Sequence, residues 1–185
     1  MKTSKYQLKD LTFIALMAAL MCILGPLSIP IGSVPISFTN LVIYITMYVL
    51  DTKRGTIAYL LYLLIGLVGV PVFSGFTSGP GKLLGPTGGY LIGFVFLAII
   101  TGLFTDRFAK NHALCIFGMI LGTAVCYAFG TAWLAYSTQM TFSAALAVGV
   151  LPFIVEDLVK IVFSAFVGYA LRVRLAKAGF AVHAA

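Results

Sequence analysis

Long apolar runs separated by short polar or glycine-rich stretches dominate the sequence. A helix needs about 20 apolar residues to cross a hydrocarbon core of roughly 30 Å. On this basis six runs are predicted to be transmembrane helices: Leu11–Leu24, Ile36–Leu50, Thr56–Val72, Gly88–Phe104, Leu114–Tyr136 and Ala144–Leu171. The pattern therefore predicts an all-α integral membrane protein, with residues 1–180 forming a single six-helix domain.

Two apolar stretches between these runs are too rich in glycine and proline to be helices. Residues 28–35 carry Pro30, Gly32 and Pro35. We expect them to fold back over the helix bundle, because unpaired backbone cannot face lipid. Residues 73–90 are predicted to form a shaped, turn-rich loop. The tail 181–185 is expected to be disordered, and an expression remnant is one interpretation of it.

The distribution of positive charge orients the predicted helices. With a cytoplasmic amino terminus, ten of the 12 Lys and Arg residues fall on the cytoplasmic side, as the positive-inside rule requires. Lys82 is then the only external cation, and Lys160 lies inside the sixth run. Both termini are predicted to be cytoplasmic, and the glycine-rich loop is predicted to face the exterior of a cell membrane.

The composition agrees with this class of protein. Hydrophobic residues make up 61% of the chain and charged residues 9%, which excludes an ordinary soluble domain. The net charge is +7, and the basic residues flank the apolar runs and do not form a continuous stripe. The expected partner is therefore a lipid bilayer and not nucleic acid. The cysteines and histidines are too scattered for a disulfide framework or a metal site, and no cofactor is expected.

Asp157 and Lys160 are the strongest candidate site residues. A charge near the bilayer centre costs roughly 2.5–3.5 kcal/mol on insertion scales. Residues three apart share a helix face, so these two either neutralise each other or offer an acceptor and a donor to a polar ligand. Glu156 lies about 100° around the helix and is expected to face elsewhere. Pro152 is expected to bend or start this helix.

The glycine-rich loop offers a second set of candidates. Lys82 does not belong to a phosphate-binding loop, because that motif needs Gly and Ser or Thr where the chain has Phe76 and Leu83. Lys82 either meets a ligand carboxylate or is solvated. The glycines at 85, 89 and 93 recur every four residues, which fits close helix packing and ligand contact equally well.

Two further features are open to two interpretations each. Ala15 and Ala19 are small residues one helical turn apart, so another helix of this chain or of a partner can approach them closely. Asn40 either hydrogen-bonds a ligand or satisfies the start of its own helix. The sequence contains no ATPase motif, so the energy for any transport must come from a partner or from an ion gradient.

Four stretches together resemble the BioY family, the biotin-specific substrate-capture (S) components of energy-coupling factor (ECF) transporters. They are Ile29–Ile36 (IPIGSVPI), Gly69–Phe76 (GVPVFSGF), Leu84–Phe94 (LGPTGGYLIGF) and Leu151–Lys160 (LPFIVEDLVK). The family often carries glycine before the aspartate, where this chain has Glu156. The resemblance implies a six-helix S component that binds biotin near the outer face, under a cap formed by the loop after the first helix.

The resemblance also implies roles for individual residues. Asp157 and Lys160 would hold the ureido ring of biotin, with Phe73 or Phe76 against its apolar parts. Ala15 and Ala19 would dock on the transmembrane coupling subunit, and through it on two ATPase subunits. The remaining candidate substrate-binding residues are Asn40, Lys82, Gly85, Pro86, Thr87, Gly88, Gly89 and Tyr90.

Three other functions are weighed against biotin capture. One is capture of a different vitamin, such as thiamin or riboflavin. Another is solitary, ion-driven vitamin uptake. The third is an intramembrane enzyme with Glu156 and Asp157 as acid and base, which is disfavoured because adjacent helical residues point in different directions. The protein is therefore expected not to be an enzyme.

Overall fold

The computed structural model describes residues 8–31 and 34–180, so the predicted disordered tail lies outside the described residues. Helices form most of this part of the chain, joined by one β-hairpin and one short 3₁₀ turn, Leu151–Phe153. The elements in chain order are α1 (Leu8–Leu24), β1 (Ser28–Ile31), β2 (Val34–Ser37), α2 (Thr39–Val49), α3 (Thr52–Leu67), α4 (Pro80–Leu84), α5 (Gly88–Phe108), α6 (His112–Thr138), α7 (Phe142–Gly149) and α8 (Ile154–Lys177).

Two of these helices, α5 and α6, are long and apolar enough to cross a membrane by length and composition. The others are shorter or more charged. Helix α8, for example, has 24 residues, and carries acidic residues in its first turn and basic residues in its last.

The sixth predicted run is divided, which corrects the prediction of one helix over Ala144–Leu171. Helix α7 ends at Gly149, and α8 begins at Ile154 after the 3₁₀ turn. Pro152 lies in this turn and has no backbone N–H, so it cannot continue the hydrogen-bond ladder of the preceding helix. The expectation that Pro152 starts the following helix is confirmed. The glycine-rich stretch was predicted as a loop but also contains the short helix α4.

The third predicted run is displaced along the chain. Helix α3 begins at Thr52 and not at Thr56, because the Asp51 side chain caps it by accepting a 2.7 Å hydrogen bond from the Arg54 amide. It ends at Leu67 and not at Val72. Gly69 then has a φ of +114°, a left-handed conformation that stops a helix.

Residues 28–31 and 34–35, from the stretch predicted to be a folded-back loop, belong to two paired antiparallel strands. Ser28 pairs with Ser37 and Pro30 with Pro35. The second predicted helix therefore begins at Thr39 and not at Ile36, since residues 36 and 37 are part of β2. Strand pairing satisfies backbone groups that a free loop would leave open, which suits a segment lying against a helix bundle.

Helices α5 and α6 pack closely through glycines. A Cβ on Gly89 would lie 2.8 Å from the Phe129 carbonyl oxygen, and one on Gly93 would lie 2.9 Å from Cys126 Sγ. These separations are too short for any side chain larger than hydrogen. The four-residue glycine repeat thus forms a packing seam between the two helices.

A network of charged and polar side chains joins the helix ends at one end of the bundle. Arg54 pairs with Asp10 of α1 and with Asp51, each at 2.9 Å. Asp106 near the end of α5 accepts hydrogen bonds of 3.0 and 2.6 Å from the amide and hydroxyl of Thr52. The start of α1, the turn between α2 and α3 and the end of α5 therefore lie together.

Candidate ligand-binding site

A cavity enclosing about 700 Å³, part of it open to solvent, lies between the hairpin, α2, α4, α5, α6 and α8. Six of the residues singled out from the sequence line it: Asn40, Lys82, Thr87, Tyr90, Asp157 and Lys160. The fold thus brings predicted site residues from four separate helices to one cavity.

Asn40 links Asp157 and Lys160 in the cavity wall. Its amide nitrogen donates to Asp157 Oδ1 at 2.5 Å, and its amide oxygen accepts from Lys160 Nζ at 2.9 Å. Lys160 Nζ lies 3.7 Å from Asp157 Oδ1, so the predicted shared helix face is confirmed. Only about a tenth of each charged side chain is exposed. The two charges balance each other, and the bridging amide gives each a hydrogen-bond partner that a buried charge requires.

Two other groups complete the cluster, and sequence reasoning missed both. The Tyr127 hydroxyl on α6 donates to Asp157 Oδ2. Lys160 Nζ donates to the backbone oxygen of Ser37, the last residue of β2, at 2.6 Å. Tyr127 could have been found from the sequence, because it places a polar hydroxyl inside the apolar run of α6. The Ser37 contact uses a backbone group, which side-chain identity does not reveal.

Glu156 also lines the cavity, which corrects the expectation that it faces elsewhere. Its carboxylate forms an ion pair with Lys160, four residues later on α8. The 100° step between adjacent helix positions fixes only the direction of the Cα–Cβ bond. Residues four apart lie on neighbouring parts of the helix surface, and a long side chain spans the remaining angle.

Lys82 contributes a cation from another part of the cavity wall, on α4. Burial lowers the pKa of its ammonium group from the ordinary value, because desolvation disfavours the charged form. Within residues 8–31 and 34–180 it forms no ion pair. It is therefore available to the anionic group of a ligand.

The two candidate phenylalanines lie outside the cavity lining. Phe73 is fully buried against Tyr62, with ring centroids 5.7 Å apart, and Phe76 is 64% exposed. Other aromatic side chains line the cavity instead: Tyr62, Tyr90, Phe94, Tyr127 and Phe153.

The glycines and proline at the start of α5 also lie outside the lining. The carbonyl oxygen of Gly85 accepts a 2.9 Å hydrogen bond from Trp133 Nε1, and Gly89 packs on the same tryptophan. Gly88 is buried against the backbone of Leu83, whereas Pro86 is exposed. These residues shape the chain around Thr87 and Tyr90, which do line the cavity.

Ala15 and Ala19 are exposed on α1, whereas the buried side of that helix is formed by Ile14, Met17, Ala18 and Met21. They therefore face away from the rest of the described chain. The three cysteines are free thiols. The described residues hold no group of three or more His, Cys, Asp or Glu side chains that could bind a metal ion.

Comparison with known proteins agrees with this geometry. The sequence model of the BioY family matches residues 1–177. "Biotin transporter BioY2" of Lactococcus lactis subsp. cremoris is 39% identical over 89% of this chain and 91% of the relative. "Biotin transporter BioY" of Thermotoga maritima is 33% identical over 89% of this chain and 96% of the relative.

A solved structure has the same fold. It is the crystal structure of the S-component for biotin from an ECF-type ABC transporter, with a TM-score of 0.84 and 31% sequence identity. The match covers 93% of this chain and 95% of the other. The fold and cavity define a helical protein with two membrane-length apolar helices in the described part and a candidate small-molecule site. The chain belongs to the BioY family.

Proposed function

We propose that this protein is a high-affinity biotin-binding S component of an ATP-driven ECF importer. The observation that carries the proposal is the Asn40–Asp157–Lys160 cluster in the cavity wall. The ureido ring of biotin has two N–H donors and one carbonyl acceptor. Asp157 accepts from the ring and Lys160 donates to it, and both are charge-assisted hydrogen bonds, the stronger kind.

The rest of the ligand has a place in the same cavity. Its carboxylate pairs with Lys82, a cation in the cavity wall that forms no ion pair with the described residues. Its apolar ring and chain lie against aromatic side chains such as Tyr62 and Phe94. The neutral ureido ring of biotin thus meets Asp157 and Lys160, and its carboxylate meets Lys82.

The topology we propose has six spans, formed by α1, α2, α3, α5, α6 and α8. Helices α4 and α7 have five and eight residues, and at 1.5 Å per residue they are too short to cross. Helix α2 has 11 residues, and the hairpin before it fills the remaining depth. The charge distribution favours cytoplasmic termini and a cavity that faces the exterior of the cell membrane.

The chain contains no ATPase motif, so the partner supplies ATP hydrolysis. We expect the exposed Ala15 and Ala19 of α1 to dock on the transmembrane coupling subunit, which contacts two ATPase subunits. Small residues one turn apart allow close approach of a partner helix.

Equilibrium binding of labelled biotin to the purified protein tests the ligand. We expect saturable binding that unlabelled biotin competes away and that thiamin and riboflavin do not. Asp157→Asn removes the charged acceptor and should weaken binding about a hundredfold. Asp10→Asn is the matched control at the opposite end of the bundle and should bind like wild type. No saturable binding, or equal competition by another vitamin, would contradict the proposal.

Reconstituted vesicles separate a partner-dependent subunit from a solitary permease. We expect biotin accumulation only when the coupling subunit, the ATPases and ATP are present. Accumulation by this chain alone under a proton or sodium gradient would show that it works as a permease.

A further inference from the structure

Three acceptor groups surround the ammonium group of Lys160. An ammonium carries three N–H donors. Lys160 Nζ directs two of them to the backbone oxygen of Ser37 at 2.6 Å and to Asn40 Oδ1 at 2.9 Å, and it also forms an ion pair with the carboxylate of Glu156. Asp157 Oδ1, at 3.7 Å, is too distant to accept one of them. A ligand carbonyl can reach Lys160 only by replacing one of these three acceptors.

Glu156 is the acceptor that can leave. The Ser37 oxygen belongs to the paired backbone of β2. The Asn40 side chain is held by Asp157 and by a 3.0 Å hydrogen bond from the Leu41 amide. Glu156 is a side chain on the cavity wall, and 25% of it is exposed, compared with 10% of Lys160.

The charges of the cluster support the same choice. Asp157 already balances the positive charge of Lys160, so Glu156 adds a second carboxylate beside a single ammonium. Removal of Glu156 leaves a neutral pair bridged by Asn40, whereas removal of Asp157 also takes away the Asn40 contact. A departing Glu156 carboxylate therefore leaves a cluster that is balanced in charge.

We propose that Glu156 is an internal competitor of the ligand. Its carboxylate is paired with the Lys160 ammonium on the side that the ligand carbonyl takes, and the ligand binds when Glu156 swings away. This inference rests on the proposed function, because it identifies that carbonyl with the ureido oxygen of biotin. Glu156 thereby lowers the affinity of the site, and it acts on the ligand through Lys160.

The affinities of Glu156→Gln and Glu156→Ala for biotin and for uncharged biotin amide test the proposal. If the ion pair holds about nine-tenths of the unliganded molecules, its loss should tighten binding about tenfold, since apparent affinity scales with the fraction of competent protein. The gain should be equal for both ligands. Asp51→Asn is the control. It removes a carboxylate that pairs with Arg54 and lies outside the cavity lining, so it should bind both ligands like wild type.

Two results would overturn the proposal. Unchanged or weaker binding of both ligands by the Glu156 variants would show that Glu156 does not compete. A gain confined to charged biotin would show that Glu156 acts by repelling the ligand carboxylate. Thermal unfolding without ligand verifies that each variant folds, and the Gln variant preserves side-chain volume. Wild type that fails to bind biotin would contradict the proposed function instead.

Discussion

The hydroxyl of Tyr127 on α6 donates a hydrogen bond to the carboxylate of Asp157 on α8. Asp157 also accepts from Asn40, so its two oxygens have partners on two different helices. The carboxylate is thus held in one orientation before a ligand arrives. Such pre-organisation lowers the cost of binding, because less side-chain freedom is lost when the complex forms.

Tyr127→Phe should weaken biotin binding about tenfold. The variant removes one hydroxyl and leaves the Asp157 carboxylate with one partner fewer, at a typical cost of about 1–3 kcal/mol. Equilibrium binding measures the effect. Tyr59→Phe is the matched control, since it removes a buried hydroxyl that donates to the Leu91 carbonyl oxygen at 2.6 Å. An equal loss of affinity in both variants would contradict a specific role for Tyr127.

Asn40→Ala should weaken biotin binding by about a hundredfold and also lower stability. The change leaves Asp157 without its 2.5 Å donor and Lys160 without its 2.9 Å acceptor, at roughly 1–3 kcal/mol for each buried group. Asn111→Ala is the control. It removes the side-chain cap of α6, which should cost about 1 kcal/mol of stability without changing the affinity for biotin. Retained affinity in Asn40→Ala would refute the bridging role.

Biotin affinity should fall as the pH rises toward the alkaline range. Burial lowers the pKa of Lys82 from its usual 10.5, so its ammonium loses charge at a lower pH than an ordinary lysine does. Above that lowered pKa the ligand carboxylate has no cation to pair with, and below it the attraction is fully present. Lys82→Gln should bind about tenfold more weakly at neutral pH.

Measurements of the biotin dissociation constant at several pH values between neutral and about 10 check this prediction. In Lys82→Gln the alkaline loss of affinity should disappear. The same loss in the variant would assign the pH dependence to another group. Biotin amide, which lacks the carboxylate, should show little pH dependence with wild-type protein.

Gly130→Ala should reduce both stability and biotin affinity. A Cβ at this position would lie 2.6 Å from Cγ of Tyr90, a cavity residue whose hydroxyl donates to the Gly149 oxygen at 2.9 Å. We expect overpacking to cost about 1–3 kcal/mol. At Gly81 no atom lies within 4 Å of an added Cβ, so Gly81→Ala should fold and bind normally. Thermal unfolding with and without biotin compares the two.

Ala15→Leu and Ala19→Leu should abolish partner-dependent uptake while leaving biotin binding unchanged. Both positions are exposed on α1 and lie outside the cavity lining, and a leucine there keeps a partner helix at a distance. Ala128→Leu, which enlarges an exposed alanine on α6, is the control. Normal uptake by the α1 variants would place the docking surface elsewhere.

The parts of the site that depend on local spacing could be predicted from the sequence. Asp157 and Lys160 are three residues apart, so their shared face follows from helix geometry alone. The contact of Lys160 with Ser37 joins residues 123 positions apart. It depends on how the hairpin packs against α8, which periodicity does not encode.

Other differences have similarly specific causes. Phe73 and Phe76 were plausible aromatic contacts, but Phe73 is used to fill the core beside Tyr62. The continuous apolar character of residues 144–155 concealed the interruption at Val150–Phe153, because apolar residues lie on both sides of it. A proline in an apolar run identifies a break without showing where the first helix stops.

The contact between Lys160 and the hairpin is made through a main-chain oxygen. Any amino acid at position 37 presents that oxygen, so the contact tolerates a change of residue. An insertion or deletion between β1 and α2 would move the oxygen away. Exchange of hairpins between related chains should consequently depend on matching their lengths, and a chimaera of equal length should preserve the attachment even where few residues are identical.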